Sequence, residues 1–233
     1  MKVLLTGASG FVGSHILDAL CARGMRVALL LRPSSSRQFI QATLAQVEIR
    51  QGALDDPVSL AAALDGVTHV VHCAGIIKAQ RASDFDQVNR LGTQRLVEAI
   101  NAREGAVRRL VHMSSVAAGG PGTSAAPMRE AATPRPVSAY GRSKLAAEQE
   151  VVARCRAEFV LVRPPGVYGP RDRAFLSLFR AVKRGVHPRF GRHSQELSLV
   201  HVRDLAEVVV ALLDHPRAPG LVVYVANASV ATG

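Results

Sequence analysis

Six short apolar runs recur along the chain: KVLL (2–5), RVALLL (26–31), VEIR (47–50), HVVHC (69–73), RLVHM (109–113) and FVLVR (159–163). Most place apolar residues at successive positions, as strands covered on both faces do. Amphipathic, helix-like segments lie between them at about 12–23, 57–64, 86–102, 138–157 and 171–184. Strands and helices that alternate at this length demand right-handed crossovers, which predicts an α/β fold with a doubly wound parallel sheet. No internal repeat or low-complexity tract interrupts the pattern. The stretch AAGGPGTSAAPM (117–128) is predicted to be a long surface loop, and such loops inside a compact domain are often functional.

The first strand runs straight into LLTGASGFVGSHI, which sets Thr6, Gly7, Gly10 and Gly13 at the first strand-to-helix junction. Gly7 suits a tight turn, Gly10 lets a pyrophosphate approach bare backbone, and Gly13 lets the helix pack closely on the sheet. The amides at the helix start then face the anion. A dinucleotide is the ligand this placement predicts. The second strand ends not on an acidic residue but on Arg32, followed by Ser34, Ser35, Ser36 and Arg37. A carboxylate there would grip a ribose hydroxyl and repel a 2′-phosphate, whereas a guanidinium binds that phosphate bidentately. NADP is therefore favoured, with NAD as the alternative if Arg32 is merely solvated.

SAYGRSKLAAEQE (138–150) places Tyr140 four residues before Lys144, so both side chains share one helical face. A phenol is a poor acid or base near neutrality, and a neighbouring ammonium is expected to lower its pKa toward the working range. Such a tyrosine can protonate a carbonyl oxygen as hydride reaches its carbon. The pair alone proves nothing, but RLVHMSSVAAGG ends a buried-looking strand on Ser114 and Ser115, at the edge where ligands sit. A serine there can donate to the same oxygen. Ser115 is the favoured donor, and Ser114 is expected to terminate the strand by bonding to backbone.

Composition adds limits. The formal charge is +11, but the 29 basic residues are scattered among apolar runs and aromatics are few, which disfavours nucleic acid and suits phosphate-bearing small molecules. No apolar run approaches the roughly 20 residues that span a bilayer and no secretory leader is evident, so no membrane partner is expected and a cytoplasmic location is the default. The three cysteines are odd in number and widely spaced, and the eight histidines show no ligand spacing, so neither disulfides nor a metal is indicated.

The ordered motifs TGASGFVG, VVHCAG, VNRLGTQRLVEA, MSSVAA, YGRSK, VRPPGVYGPRD and LVHVRDLAEVVVAL together resemble an extended short-chain dehydrogenase/reductase of the NAD(P)-dependent epimerase/dehydratase superfamily. The resemblance implies a Rossmann domain over 1–165 and a partial substrate region over 166–233, with a final strand and helix returning to the core. It implies Ser115, Tyr140 and Lys144 as catalytic residues. It implies cofactor contacts at Gly7, Ser9, Gly10, Phe11 and Val12 in the phosphate turn, and at Arg32, Arg37 and Leu54 around the adenosine. Further contacts are implied at Cys73, Ala74, Gly75 and Asn89, at Met113 and Ser114 beside the triad, at Tyr140 and Lys144 themselves, and at Pro164, Gly166 and Val167 along the nicotinamide. A homodimer through the helices holding 86–102 and 138–157 also follows from the resemblance.

Two departures bear on the substrate. Ala53 replaces the acidic residue that often contacts adenine, leaving backbone and Leu54, and Gly166 stands where sugar-nucleotide enzymes commonly carry asparagine. A glycine cannot supply that amide. RPPGVYGPRD is more like the hydroxysteroid dehydrogenase and dihydroflavonol reductase branch, whose substrates are hydroxyl or ketone compounds. The chain stops at YVANASVATG, where relatives continue over the substrate, so an incomplete pocket roof is expected. Lys183, Arg184, Arg189, Arg192 and Arg203, with His187, His193 and His201, read either as a lid for an anionic substrate or as a solvated basic segment. The leading reading is an NADP-dependent oxidoreductase interconverting a secondary alcohol and a ketone or aldehyde. The alternatives are a nucleotide-sugar epimerase or dehydratase that keeps its cofactor, and a catalytically silent NADP-binding protein.

Overall fold

The computed structural model describes residues 1–123, 125–186, 196–227 and 231–232. Its centre is a seven-stranded sheet built from β1 (Lys2–Thr6), β2 (Arg26–Leu31), β3 (Glu48–Gln51), β4 (His69–His72), β5 (Arg109–Met113), β6 (Glu158–Arg163) and β10 (Val222–Tyr224). The order is β10-β6-β5-β4-β1-β2-β3 and every pairing is parallel. The direction of winding reverses between β1 and β4, and a crevice opens beyond the carboxyl ends of strands at such a point.

Successive side chains on each strand serve opposite apolar layers. Val3, Leu5, Leu29, Val71, Val111 and Val160 pack with Ile16 and Leu20 of α1 (Phe11–Ala22) and with Leu205 and Val209 of α8 (Val202–Ala211). Leu4, Leu30, Val70, Leu110 and Leu161 pack with Leu60 of α2 (Pro57–Ala63), Leu96 of α4 (Gly92–Asn101) and Val151 of α6 (Ala139–Arg154). Burial on both faces explains why the strands read as apolar runs rather than as alternating ones. Near the crevice the second face turns polar: Thr6, His72, His112 and Arg163 are all buried there.

The six expected strands are present, and β10 adds a seventh beside β6. The segment expected as one helix over 86–102 is divided, with α3 (Ala82–Phe85) leading into a π-helical turn (Asp86–Leu91) and then α4. The wide turn seats Asn89 inside the protein, as described below. The expected helix over 171–184 is shorter, forming α7 (Ala174–Lys183), because Gly169 and Arg171 adopt left-handed φ of 143° and 71° and Asp172 then accepts from the amides of Ala174 and Phe175. After β5 the chain makes a single turn, α5 (Val116–Gly119), and then runs as the expected loop toward α6. Short pairs complete the structure: β7 (Gly166–Tyr168) with β9 (Leu199–His201), and β8 (Glu196–Leu197) with β11 (Ala231–Thr232). No described helix is long and apolar enough to cross a membrane.

Candidate active site

A cleft of about 960 Å³ lies along the carboxyl ends of the strands. At one end is the turn after β1. Gly7 has φ +78°, a conformation that favours glycine, and a Cβ on it would lie 2.6 Å from the amide nitrogen of Ala74. A Cβ on Gly13 would lie 2.1 Å from the carbonyl oxygen of Gly7. Both glycines are thus needed for backbone to pack on backbone. α1 opens at Gly10 with no side chain capping it, and Phe11, Val12 and Gly13 of its first turn line the cleft. Uncapped amides at a helix start are a cradle for a phosphate, so this wall fits a dinucleotide.

At the other end β5 stops at Met113. Ser115 caps α5, its Oγ accepting from the amide of Ala117 at 3.2 Å, and its hydroxyl is near enough to Tyr140 to act on the phenol's acidity. Ser138 caps α6 by accepting from Gly141, which starts the helix one turn ahead of Lys144. The Lys144 Nζ is buried and donates to the Met113 carbonyl oxygen at 2.6 Å. The Phe85 ring packs 5.9 Å from that of Tyr140.

Asn89 locks this arrangement from behind. Its Oδ1 accepts from the Ile76 amide at 2.9 Å, and its Nδ2 donates to the Ile76 carbonyl and to Ser143 Oγ, both at 3.0 Å. Ser143 in turn donates to the Tyr140 carbonyl at 2.8 Å. One buried amide therefore joins the loop after β4 to the helix that carries Tyr140 and Lys144.

The electrostatics correct one expectation. The Tyr140 phenol is raised above its ordinary value, chiefly because burial penalises the phenolate, and the hydrogen bond from Ser115 only partly offsets this. The expected lowering by Lys144 is absent because Lys144 gives up its proton before the raised phenol titrates. Lys144 itself is pushed down to about 8, with burial as the main cause and Cys73 and Glu148 opposing it. Burial pushes the Cys73 thiol up to about 11.

Of the residues expected around the cofactor, Gly7, Ser9, Gly10, Phe11 and Val12 line the cleft at the glycine turn, and Arg32 and Leu54 line it beside β2 and β3. Cys73, Ala74, Gly75 and Asn89 line it after β4, as do Met113, Ser114, Ser115, Tyr140 and Lys144, with Pro164 and Val167 opposite. Two do not. Arg37 is exposed outside the cleft, and Gly166 is paired with Leu199 in β7, where a Cβ would meet that leucine at 2.8 Å. Ser114 also departs from expectation: its hydroxyl donates to the buried Glu148 carboxylate rather than to backbone. Glu148 is already paired with Arg163 at 2.5 Å, and Arg163 donates to Tyr224 at 2.9 Å.

Of the basic segment, Lys183, Arg184 and Arg203 are exposed and do not line the cleft, and His201 packs on Tyr168 at 5.4 Å. His187, Arg189, Arg192 and His193 lie outside the described residues. Sequence reasoning missed Asp55, Arg95, Ile76, Ile77 and Phe175, which also line the cleft. Asp55 was legible as the acidic residue displaced by two positions from Ala53. Arg95 had no signal, because its place depends on where the π turn hands over to α4.

A sequence model described as the NAD dependent epimerase/dehydratase family matches residues 3–226. Among curated proteins, a ceramide reductase from Caulobacter vibrioides is 34% identical over 92% of the chain and 61% of its own length. A UDP-glucose 4-epimerase from Vibrio cholerae is 30% identical over 97% of the chain and 70% of its own length. Among solved structures, the UDP-glucuronic acid 4-epimerase from Bacillus cereus in complex with NAD superposes with a TM-score of 0.86 at 26% identity, over all of this chain and 80% of that one. The chain thus spans between three fifths and four fifths of the length of these three proteins.

Proposed function

The chain belongs to the NAD-dependent epimerase/dehydratase family, and on that premise we propose that it is an NADP-dependent oxidoreductase that interconverts a secondary alcohol and a ketone or aldehyde. The observation that carries this reading is the convergence of Ser115, Tyr140 and Lys144 on the cleft that also holds the glycine turn. The amides at the start of α1 would hold the pyrophosphate and Arg32, with Ser35 beside it, the 2′-phosphate. When bound, the dinucleotide supplies or accepts the hydride.

The protein supplies the proton. Burial keeps the Tyr140 phenol protonated at neutral pH, so it acts as a donor to a carbonyl oxygen, and the Ser115 hydroxyl stabilises the charge that develops on that oxygen. The buried Lys144 ammonium favours the phenolate left after transfer, and Asn89 holds the helix that carries both groups. In the reverse direction the phenolate takes the alcohol proton.

The walls favour an uncharged substrate. Ile76, Ile77, Pro164, Pro165 and Phe175 line the reactive end, where Lys144 is bonded to Met113 and the Asp172 carboxylate caps α7. Arg32 and Arg95 line the cleft at the adenosine end. The curated ceramide reductase is in keeping with this reading.

The second reading, an epimerase that returns the hydride within one turnover, is favoured by the two epimerase relatives. Incubation of apolar ketones with NADPH, and in parallel of nucleotide sugars with the oxidised dinucleotide, separates the two. Stoichiometric loss of reduced nicotinamide with a ketone supports the oxidoreductase. Isomerised sugar nucleotide without net reduction of the dinucleotide supports the epimerase.

A further inference from the structure

We infer that His112 is a positioning residue for Lys144, and that the imidazole and the ammonium share a buried water beneath the active site. The role in turnover rests on the oxidoreductase reading above, whereas the link between the two side chains does not.

His112 is fully buried in β5, on the face covered by α4 and α6, where its strand neighbour Leu110 is apolar. An aliphatic side chain would fill that position at no cost in lost hydrogen bonds. Instead neither ring nitrogen of His112 has a partner among the described residues. Its neighbour in the sheet, His72, differs in this respect although the two rings are only 5.3 Å apart. The Thr93 hydroxyl is spent on the Asn89 carbonyl at 2.6 Å, so at 3.0 Å it can only accept from His72 Nε2. His72 Nδ1 then accepts from Thr6 Oγ1 at 2.8 Å, and Thr6 accepts from the Ala74 amide. This network fixes His72 as a neutral, fully satisfied ring.

Lys144 comes from α6, which packs on this face of the sheet, and after burial its charge is the next influence on the His112 ring. One of the three Nζ hydrogens goes to Met113, the residue next to His112. The ammonium thus has donors to spare, and the imidazole has an acceptor and a donor to spare. A single water that accepts from Nζ and donates to the unprotonated ring nitrogen gives each side chain one further partner. The other titratable groups around Lys144 are His72 and Cys73 at the end of β4, and Tyr140 and Glu148 on α6. Glu148 is engaged by Arg163 and Ser114 and His72 by Thr6 and Thr93, while burial keeps the Cys73 thiol and the Tyr140 phenol protonated.

The test follows the titration of Lys144 by NMR in protein labelled with carbon-13 lysine, its signal assigned with Lys144→Met. His112→Leu removes the acceptor, so the ammonium loses support and its midpoint falls by about one pH unit. His112→Gln, whose amide oxygen can hold the same water, keeps the midpoint near that of the unaltered protein. The alkaline limb of kcat/KM moves in parallel. An unchanged or raised midpoint in folded His112→Leu, or equal shifts in both variants, overturns the inference. If His112→Leu does not fold, a high-resolution crystal structure of the unaltered protein decides. A water within about 3 Å of both groups is required, and its absence overturns the inference. A lysine shift without turnover of any carbonyl compound supports the link and removes the oxidoreductase reading instead.

Discussion

Lys144 Nζ donates to the carbonyl oxygen of Met113 at 2.6 Å, so the cation on α6 is bonded to the strand end that leads directly to Ser115. That bond anchors the ammonium at the strand end, while burial governs the Tyr140 phenol. It also fixes the distance between helix and strand at the place where catalytic precision matters most.

Replacing Lys144 with methionine keeps much of the stem and removes the charge. Turnover should fall by about 100-fold or more. In the unaltered protein, kcat/KM should decline as pH rises through about 8, where the buried ammonium loses its proton. Initial rates of NADPH consumption across pH check both.

The choice of cofactor rests on Arg32, since Arg37 lies outside the cleft. Arg32→Ala should weaken NADPH binding at least about tenfold, worth roughly 1.4 kcal/mol, and leave NADH nearly unaffected. Fluorescence titration of the two reduced cofactors measures the difference, and equal losses would remove the case for NADP.

Gly13→Ala places a methyl 2.1 Å from the Gly7 carbonyl oxygen, and neither backbone can yield without disturbing the phosphate turn. Loss of dinucleotide binding is expected, with a destabilisation of roughly 1–3 kcal/mol. Urea denaturation with and without NADPH separates the two effects.

Acid should unfold this protein through its buried imidazoles. His72 titrates at about 3 when folded against 6.5 when unfolded, so the unfolded chain takes up the proton first. Stability is therefore full above pH 6.5 and falls as pH drops toward 3. Urea midpoints measured through this range should show a slope that His72→Gln flattens.

The strands, their covering helices and the glycine turn were legible because each is written locally, in apolar runs and in spacing. Tyr140 and Lys144 were legible for the same reason, as neighbours on one helical face. The balance of forces at Tyr140 was not, because it depends on burial and on a backbone acceptor at Met113, distant in sequence. The π turn that seats Asn89 left no periodic trace. Ser114 was misjudged because its partner Glu148 comes from a helix dozens of residues away. Arg37 lies outside the cleft, and Gly166 is turned into its pairing with Leu199 although its neighbours Pro165 and Val167 line the cleft.

The central claim is that the Tyr140 hydroxyl delivers the proton, and Tyr140→Phe removes that one atom while keeping the ring against Phe85. Turnover of a ketone with NADPH should drop by about 100-fold or more, with NADPH affinity unchanged. A phenylalanine variant that consumes NADPH at the original rate would contradict the account.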